Sequence, residues 1–316
     1  MALLGVGYFW KPRERHWLRV AGFTGVGIFW GLRAGLYYTE GSDAVNIAFT
    51  GLAAPFFVYL AYHEWISYQK DEDLDSLKWA TGVTFLAGIL YFGVERIPIV
   101  ASLLIQAVAH QTVWLMNAFG YGVGWHVVPT GFLDDGQLGA PIAGSKVTII
   151  LACTSFEAIV IFLGAVFATQ MRKDPWADYQ NVDDKKVAKL RALGPERRKW
   201  LGLIYTVPVI WGLNLVRNAS VIYLFNAGTF DGVAASWGMS GFDFVHVVLG
   251  KGLSFVALVI IAFVLFKTCP EILDNVNGLM DLPRRGQGGE PGGGGDDKAA
   301  ASTTPTPEAA AAPAEG

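Results

Sequence analysis

Ile150-Leu151-Ala152-Cys153-Thr154-Ser155-Phe156-Glu157-Ala158-Ile159 is the stretch on which the reading of this chain turns. It sets a cysteine, two hydroxyls and a carboxylate at the mouth of an apolar segment that runs on to Met171. A segment of that length reads as a membrane span. A chain this apolar has little reason to place polar atoms there unless something uses them. Cys153 is therefore read as a nucleophile at the outer membrane surface.

The rest of the chain supports a membrane reading. Of 316 residues, 53% are hydrophobic and 16% charged, whereas soluble domains carry roughly a quarter charged residues. Repeated apolar runs of about 20 residues predict an all-α, polytopic helical membrane protein with six to seven transmembrane spans. No basic face or RNA-binding motif occurs, so no nucleic-acid partner is expected. The two cysteines, Cys153 and Cys269, lie at opposite ends of different spans, which gives no disulfide framework. His16, His63, His110, His126 and His246 are scattered, with no ligand-spaced pair on one helix, so neither a metal nor a cofactor is expected. Residues 1–19 lack the features of a cleavable signal.

Spans are expected at 17–38, 44–66, 77–94, 147–171, 200–225 and 243–267. Lys11, Arg13, Arg15 and Arg19 precede the first, and the largest basic cluster, Arg172 to Lys199, follows the 147–171 span. The bias of basic loops toward the cytoplasm puts both inside. That holds only if the apolar segment 98–119 does not cross, so it is read as an outer interfacial or re-entrant helix. The rival is a seven-span chain with its N-terminus outside. Residues 121–146 are rich in Gly, Pro and Asp and predict turns and a short hairpin, a small extracellular cap. Four regions follow: N-terminal transmembrane helices (1–95), the outer helix and loop (96–146), catalytic transmembrane helices (147–275) and a disordered cytoplasmic tail (276–316). Gly5 to Trp10 reads as a surface anchor, and Cys269 as structural or lipid-modified.

With the basic loop inside, Cys153 opens one span at its outer end, Arg217 lies near the outer end of the next, and His246 opens the last. A thiol needs a base or a nearby cation to act as thiolate. His246 suits the base and later proton donor. Asp243, one turn earlier, suits the group that orients its ring. Arg217 offers donors for an oxyanion, and an arginine inside a span is costly enough to imply use. Glu157 is read either as positioning Arg217 or as its structural ion-pair partner. Thr154 and Ser155 either serve the substrate carbonyl or bond back to their own helix.

Ala152-Cys153-Thr154 opening a span, Tyr205 to Asn218 (YTVPVIWGLNLVRN) in the next, and Phe244-Val245-His246 opening the last resemble the exosortase/archaeosortase family over about 145–275. Leu253 to Leu258 and Pro270-Glu271-Ile272-Leu273 lean toward its archaeosortase branch. Ser155 stands where the family pattern has glycine. The resemblance implies a membrane cysteine transpeptidase with Cys153, Arg217 and His246 as catalytic groups. Lys251 is the alternative third group, and Asn214 belongs to the arginine motif. It further implies clients that end in a short Pro-Gly-Phe-type signature, a transmembrane helix and a basic tail. The enzyme would cleave near the signature and pass the new C-terminus to a lipid headgroup, with surface-layer glycoproteins as typical clients.

A transporter or channel is the competing reading, with Arg33, His63, Glu64, Glu157, Arg217 and Lys251 lining a polar path. It calls for charges spread through the membrane depth and for broken helices at the midplane.

Overall fold

A backbone in hydrocarbon must satisfy its own hydrogen bonds, so long apolar runs wind into helices. The computed structural model describes residues 1–10, 13–39, 44–121, 124–176 and 185–286. A short α1 (Ala2–Phe9) is followed by α2 (Arg15–Thr39), α3 (Ala44–Lys70), α4 (Asp75–Arg96) and α5 (Pro98–Ala118). Four short strands then lead into α6 (Phe156–Ala168), α7 (Lys185–Ala192), α8 (Pro195–Asn226) and α9 (Asp231–Ser236). The last long helix, Gly241–Thr268, combines α10 (Gly241–Asp243), a π-helical stretch (Phe244–Lys251) and α11 (Gly252–Thr268); α12 (Pro270–Met280) follows it. Among the described residues, five helices are long and apolar enough to cross a membrane, from α3, α4, α5, α8 and the last long helix. α2 has the length, at 25 residues, but carries Arg15, Arg19 and Arg33. The chain is a polytopic helical membrane protein, as its composition predicts.

Three segments differ from expectation. The 147–171 segment is not one helix. It is a strand, a tight turn and the 13-residue α6, which at 1.5 Å per residue spans only about 20 Å. Segment 98–119 is one continuous helix, α5, without a re-entrant break, so of the two forms expected for it the interfacial one remains. Its buried face, Ile105, Val108, Ala109, Val113 and Met116, is covered by Ala140, Ile142, Val147 and Ile149 of the strand region and by Ile222 of α8. Residues 5–9 lie in α1, whose Leu4 is fully buried against Gly22 of α2, where a Cβ would come within 2.5 Å of the Leu4 side chain, while Phe9 and Trp10 stay exposed as an anchor would. The tail also begins later than predicted. α12 continues to Met280, and Leu282–Gly286 forms a 3-10 turn within a separate unit, Asp281–Gly316. The disorder expected at 287–316 lies outside the described residues.

The predicted hairpin is a fuller sheet. Strand β3 (Leu138–Ala143) pairs antiparallel with β1 (His126–Val127), β2 (Gly131–Phe132) and β4 (Thr148–Ile150), with Gly139 opposite Ile150. Gln106 of α5 donates to the Val128 carbonyl at 3.2 Å and to Thr130 Oγ1 at 2.8 Å, which ties this cap down.

Two buried ionic networks sit at the end of the bundle away from Cys153. In one, Arg19 donates to Glu64 and Asp73, both at 3.1 Å, and to the Gly7 carbonyl at 2.9 Å. His16 Nδ1 lies 2.6 Å from the same Glu64 oxygen, and Arg15 pairs with Asp73 at 2.8 Å. In the other, Arg198 of α8 holds Glu271 of α12 by two bonds, 2.9 and 3.3 Å, and donates to the Arg172 carbonyl. The Arg172 amide donates to Glu271 at 2.9 Å, and Trp176 lies 5.0 Å beneath the Arg198 guanidinium. Cys269 is wholly buried beside this network, with its thiol 3.6 Å from the Arg198 carbonyl. Burial, with Glu271 adding to it, pushes that thiol up to about 12. Its burial corrects the lipid-modification reading: Cys269 is structural.

Candidate active site

Strand β4 runs directly into a 3-10 turn, Leu151–Thr154, that carries Cys153; α6 begins at Phe156. The turn closes on its own hydroxyls. Thr154 is fully buried, and its Oγ1 donates to the Leu151 carbonyl at 2.6 Å and accepts the Phe156 amide at 3.4 Å. Ser155 Oγ donates to the Thr154 carbonyl at 2.6 Å. Both hydroxyls thus bond within the chain in this structure.

Ser155 joins turn to helix at φ 58°, in the left-handed region. A side chain with a Cβ costs roughly 1–2 kcal/mol there and glycine does not. The departure from the family's glycine is therefore a departure under strain. Ser155→Gly is expected to stabilise the protein by about 1 kcal/mol, read as a raised midpoint of thermal unfolding in detergent.

α8 anchors the turn. Asn214 and Asn218, one helical turn apart, both donate to the Cys153 carbonyl, at 2.8 and 2.9 Å. The Cys153 side chain is left partly exposed and unbridged. Arg217 lies between the two asparagines in sequence, donates to Asn218 Oδ1 at 3.0 Å, and is near enough to Cys153 for the two to interact electrostatically. Its Cδ lies 3.9 Å from where a Cβ on Gly250 would sit, ordinary contact distance, so the arginine's stem runs beside the last helix. Two buried atoms of this cluster have no hydrogen-bond partner: the Nε of Arg217, a donor, and the Oδ1 of Asn214, an acceptor. An orphaned buried polar atom costs about 1–3 kcal/mol, so each calls for an explanation.

His246 sits in the π-helical stretch, a helix distortion common at functional sites. Its ring stacks on Phe242, with centroids 5.2 Å apart and an 18° tilt. Phe242 packs in turn on the cluster against which Cys153, Trp211 and Leu215 lie. The thiol borders this apolar cluster, and the imidazole reaches it through Phe242.

The supporting residues are placed less as expected. Asp243 is exposed, and its carboxylate accepts from Ser240 Oγ at 2.6 Å while its amide donates back to that oxygen at 3.0 Å. Its hydrogen bonds serve the start of the helix. Glu157 lies beside Tyr91 of α4, and among the described residues it forms no ion pair with Arg217, whose hydrogen bond goes to Asn218. Lys251 donates to Asn46 of α3 at 3.0 Å. Asn218 was not singled out as a site residue; its spacing of four from Asn214, on either side of Arg217, was the available signal. Among the described residues no group of three or more His, Cys, Asp or Glu side chains could hold a metal ion.

The chain is 25% identical over 238 residues to archaeosortase A of Haloferax volcanii, an alignment covering 69% of this chain and 70% of that protein. It is 24% identical over 253 residues to archaeosortase A of Natronomonas pharaonis, covering 73% and 69%. No protein-family model matches the chain, and no solved structure matches it. Both relatives are archaeosortases, in keeping with the resemblance carried by the Cys153, Arg217 and His246 motifs.

Proposed function

We propose that this archaeosortase-like chain is a membrane cysteine transpeptidase. It would cleave a C-terminal sorting signal of the Pro-Gly-Phe type and pass the new C-terminus to a membrane lipid. The observation that carries this reading is a partly exposed cysteine whose carbonyl is held by Asn214 and Asn218, on either side of Arg217.

The steps follow from the residue types. His246 removes the Cys153 proton, and the sulfur adds to the scissile carbonyl. The oxyanion forms against Arg217, whose charge and fork of donors suit it. Collapse breaks the C–N bond, the amine departs with the proton from His246, and a thioester remains on Cys153. A lipid nucleophile at headgroup level then attacks the thioester, releases the thiolate and takes the acyl group. In this reading the Cys153 end faces outward, and the client approaches through the bilayer.

A groove of about 600 Å³ between α8 and α11 offers that approach. Tyr205, Val209 and Leu213 line one wall, and Ala257, Ile260 and Val264 the other. The α8 wall advances by four residues at each step, and the next step is Arg217.

Two measurements test the reading. The purified enzyme, mixed with a client bearing the signal and its helix, should yield a client–enzyme adduct that hydroxylamine releases and that maps to Cys153. Absence of any acyl adduct under single turnover would sink the covalent mechanism. Arg217→Lys keeps the charge and loses the fork; processing should fall by about 10²-fold with the protein still folded. No specific observation favours a transporter. Arg33 stacks over Tyr37, Glu64 is held by His16 and Arg19, and Lys251 meets Asn46, at separate places in the fold.

A further inference from the structure

The end of the bundle away from Cys153 holds a second polar site. There α1 ends, α2 and α4 begin, and α6 has just ended. The four enclose a pocket of about 300 Å³ lined by Tyr8, Phe9, Trp10, Arg15, Arg19, Lys78 and Gln170. Three of these are cationic and none is a carboxylate. Arg19 is only 1% exposed.

The charge balance leaves a surplus. Arg15 and Arg19 are matched by Asp73 and Glu64. Lys78 makes no ion pair or side-chain hydrogen bond among the described residues, and neither does Gln170. α2 and α4 present positive ends on this side and α1 and α6 negative ones, so the helix termini cancel and the surplus charge rests on Lys78. The pocket therefore offers donors and net positive charge, which suits a small anion that only accepts hydrogen bonds. Phe9 and Trp10 on its rim are 70% and 54% exposed, as aromatic side chains are at headgroup depth. Basic pockets between membrane helices take lipid phosphates in this way.

We propose that this pocket binds the phosphate of an anionic membrane phospholipid, with Lys78 as the principal ion-pair donor and Phe9 and Trp10 against the first carbons of the lipid. The bound headgroup joins α1 to α2 and α4, elements that otherwise meet through apolar packing and the Arg19 network. The site is separate from the Cys153 cluster and does not depend on the reaction assigned there.

The test uses the full chain, purified in a neutral detergent, with thermal unfolding as readout. Phosphatidylglycerol should raise the midpoint by about 3 °C or more, saturably, and phosphatidylcholine should not. Lys78→Gln should weaken half-saturation by about tenfold, while Lys146→Gln, an exposed lysine beside the cap strands, leaves it unchanged. Should Lys78→Gln not fold, Gln170→Ala gives the same comparison with a smaller loss. Equal shifts from both lipids, or an undiminished shift in the folded pocket variant, would overturn the site. An equal shift from inorganic phosphate alone would overturn the lipid as its source.

Discussion

Cys153→Ser is expected to lower client processing by at least about a thousandfold while the protein still folds and inserts. Both halves follow from where the turn is held. The anchoring bonds from Asn214 and Asn218 go to the Cys153 carbonyl, and the turn is closed by the hydroxyls of Thr154 and Ser155. None of these involves the sulfur, so exchanging sulfur for oxygen leaves the scaffold intact. What changes is the nucleophile: a serine hydroxyl at this position would have to be deprotonated by an arrangement suited to a far more acidic thiol. Loss of a covalent nucleophile costs orders of magnitude in turnover. The measurement is the rate of conversion of a full-length client in membranes, with enzyme abundance and detergent unfolding as controls. Wild-type rates in the serine variant would move the chemistry elsewhere in the molecule.

Arg198→Met should destabilise the protein by about 3–5 kcal/mol. Arg198 is completely buried, and it supplies two of the bonds that hold Glu271, itself only 4% exposed. Without it, the Glu271 carboxylate keeps the Arg172 amide and little else. Breaking a buried pair from one side leaves an uncompensated charge, the costly outcome. Removing both partners does not, so Arg198→Met combined with Glu271→Met should recover most of the loss. The check is the unfolding midpoint of both variants in detergent. If the double variant were as weak as the single, the stabilising element would be packing of the arginine on Trp176 rather than the ion pair.

The long helices were legible because hydropathy reports how each residue meets its solvent. α2, α3, α4, α8 and the last helix fall within a few residues of the predicted spans. Partnerships are a different kind of information. Glu64 and His16 are 48 residues apart, and Arg198 and Glu271 are 73 apart. Each reads in sequence as a charge near a helix end, and nothing local says that it is buried. The same gap explains the sheet. Its strands are short, with a glycine in the turn on either side of β3, and they are extended because α5 offers them an apolar face. At the candidate site the residue types and their order along the chain were readable. The second asparagine and the partner of Glu157 were not, since both depend on how one helix is rotated against another.

One consequence of the cap remains. Strand β4 ends at Ile150, and Cys153 stands three residues further on, with no loop between them to absorb movement. The sheet and the thiol are links of one stiff linkage, pivoted where α8 grips the Cys153 carbonyl. A client strand or loop that tilts the sheet would pull on the sulfur's position directly, and recognition at the cap would set the aim of the attacking atom.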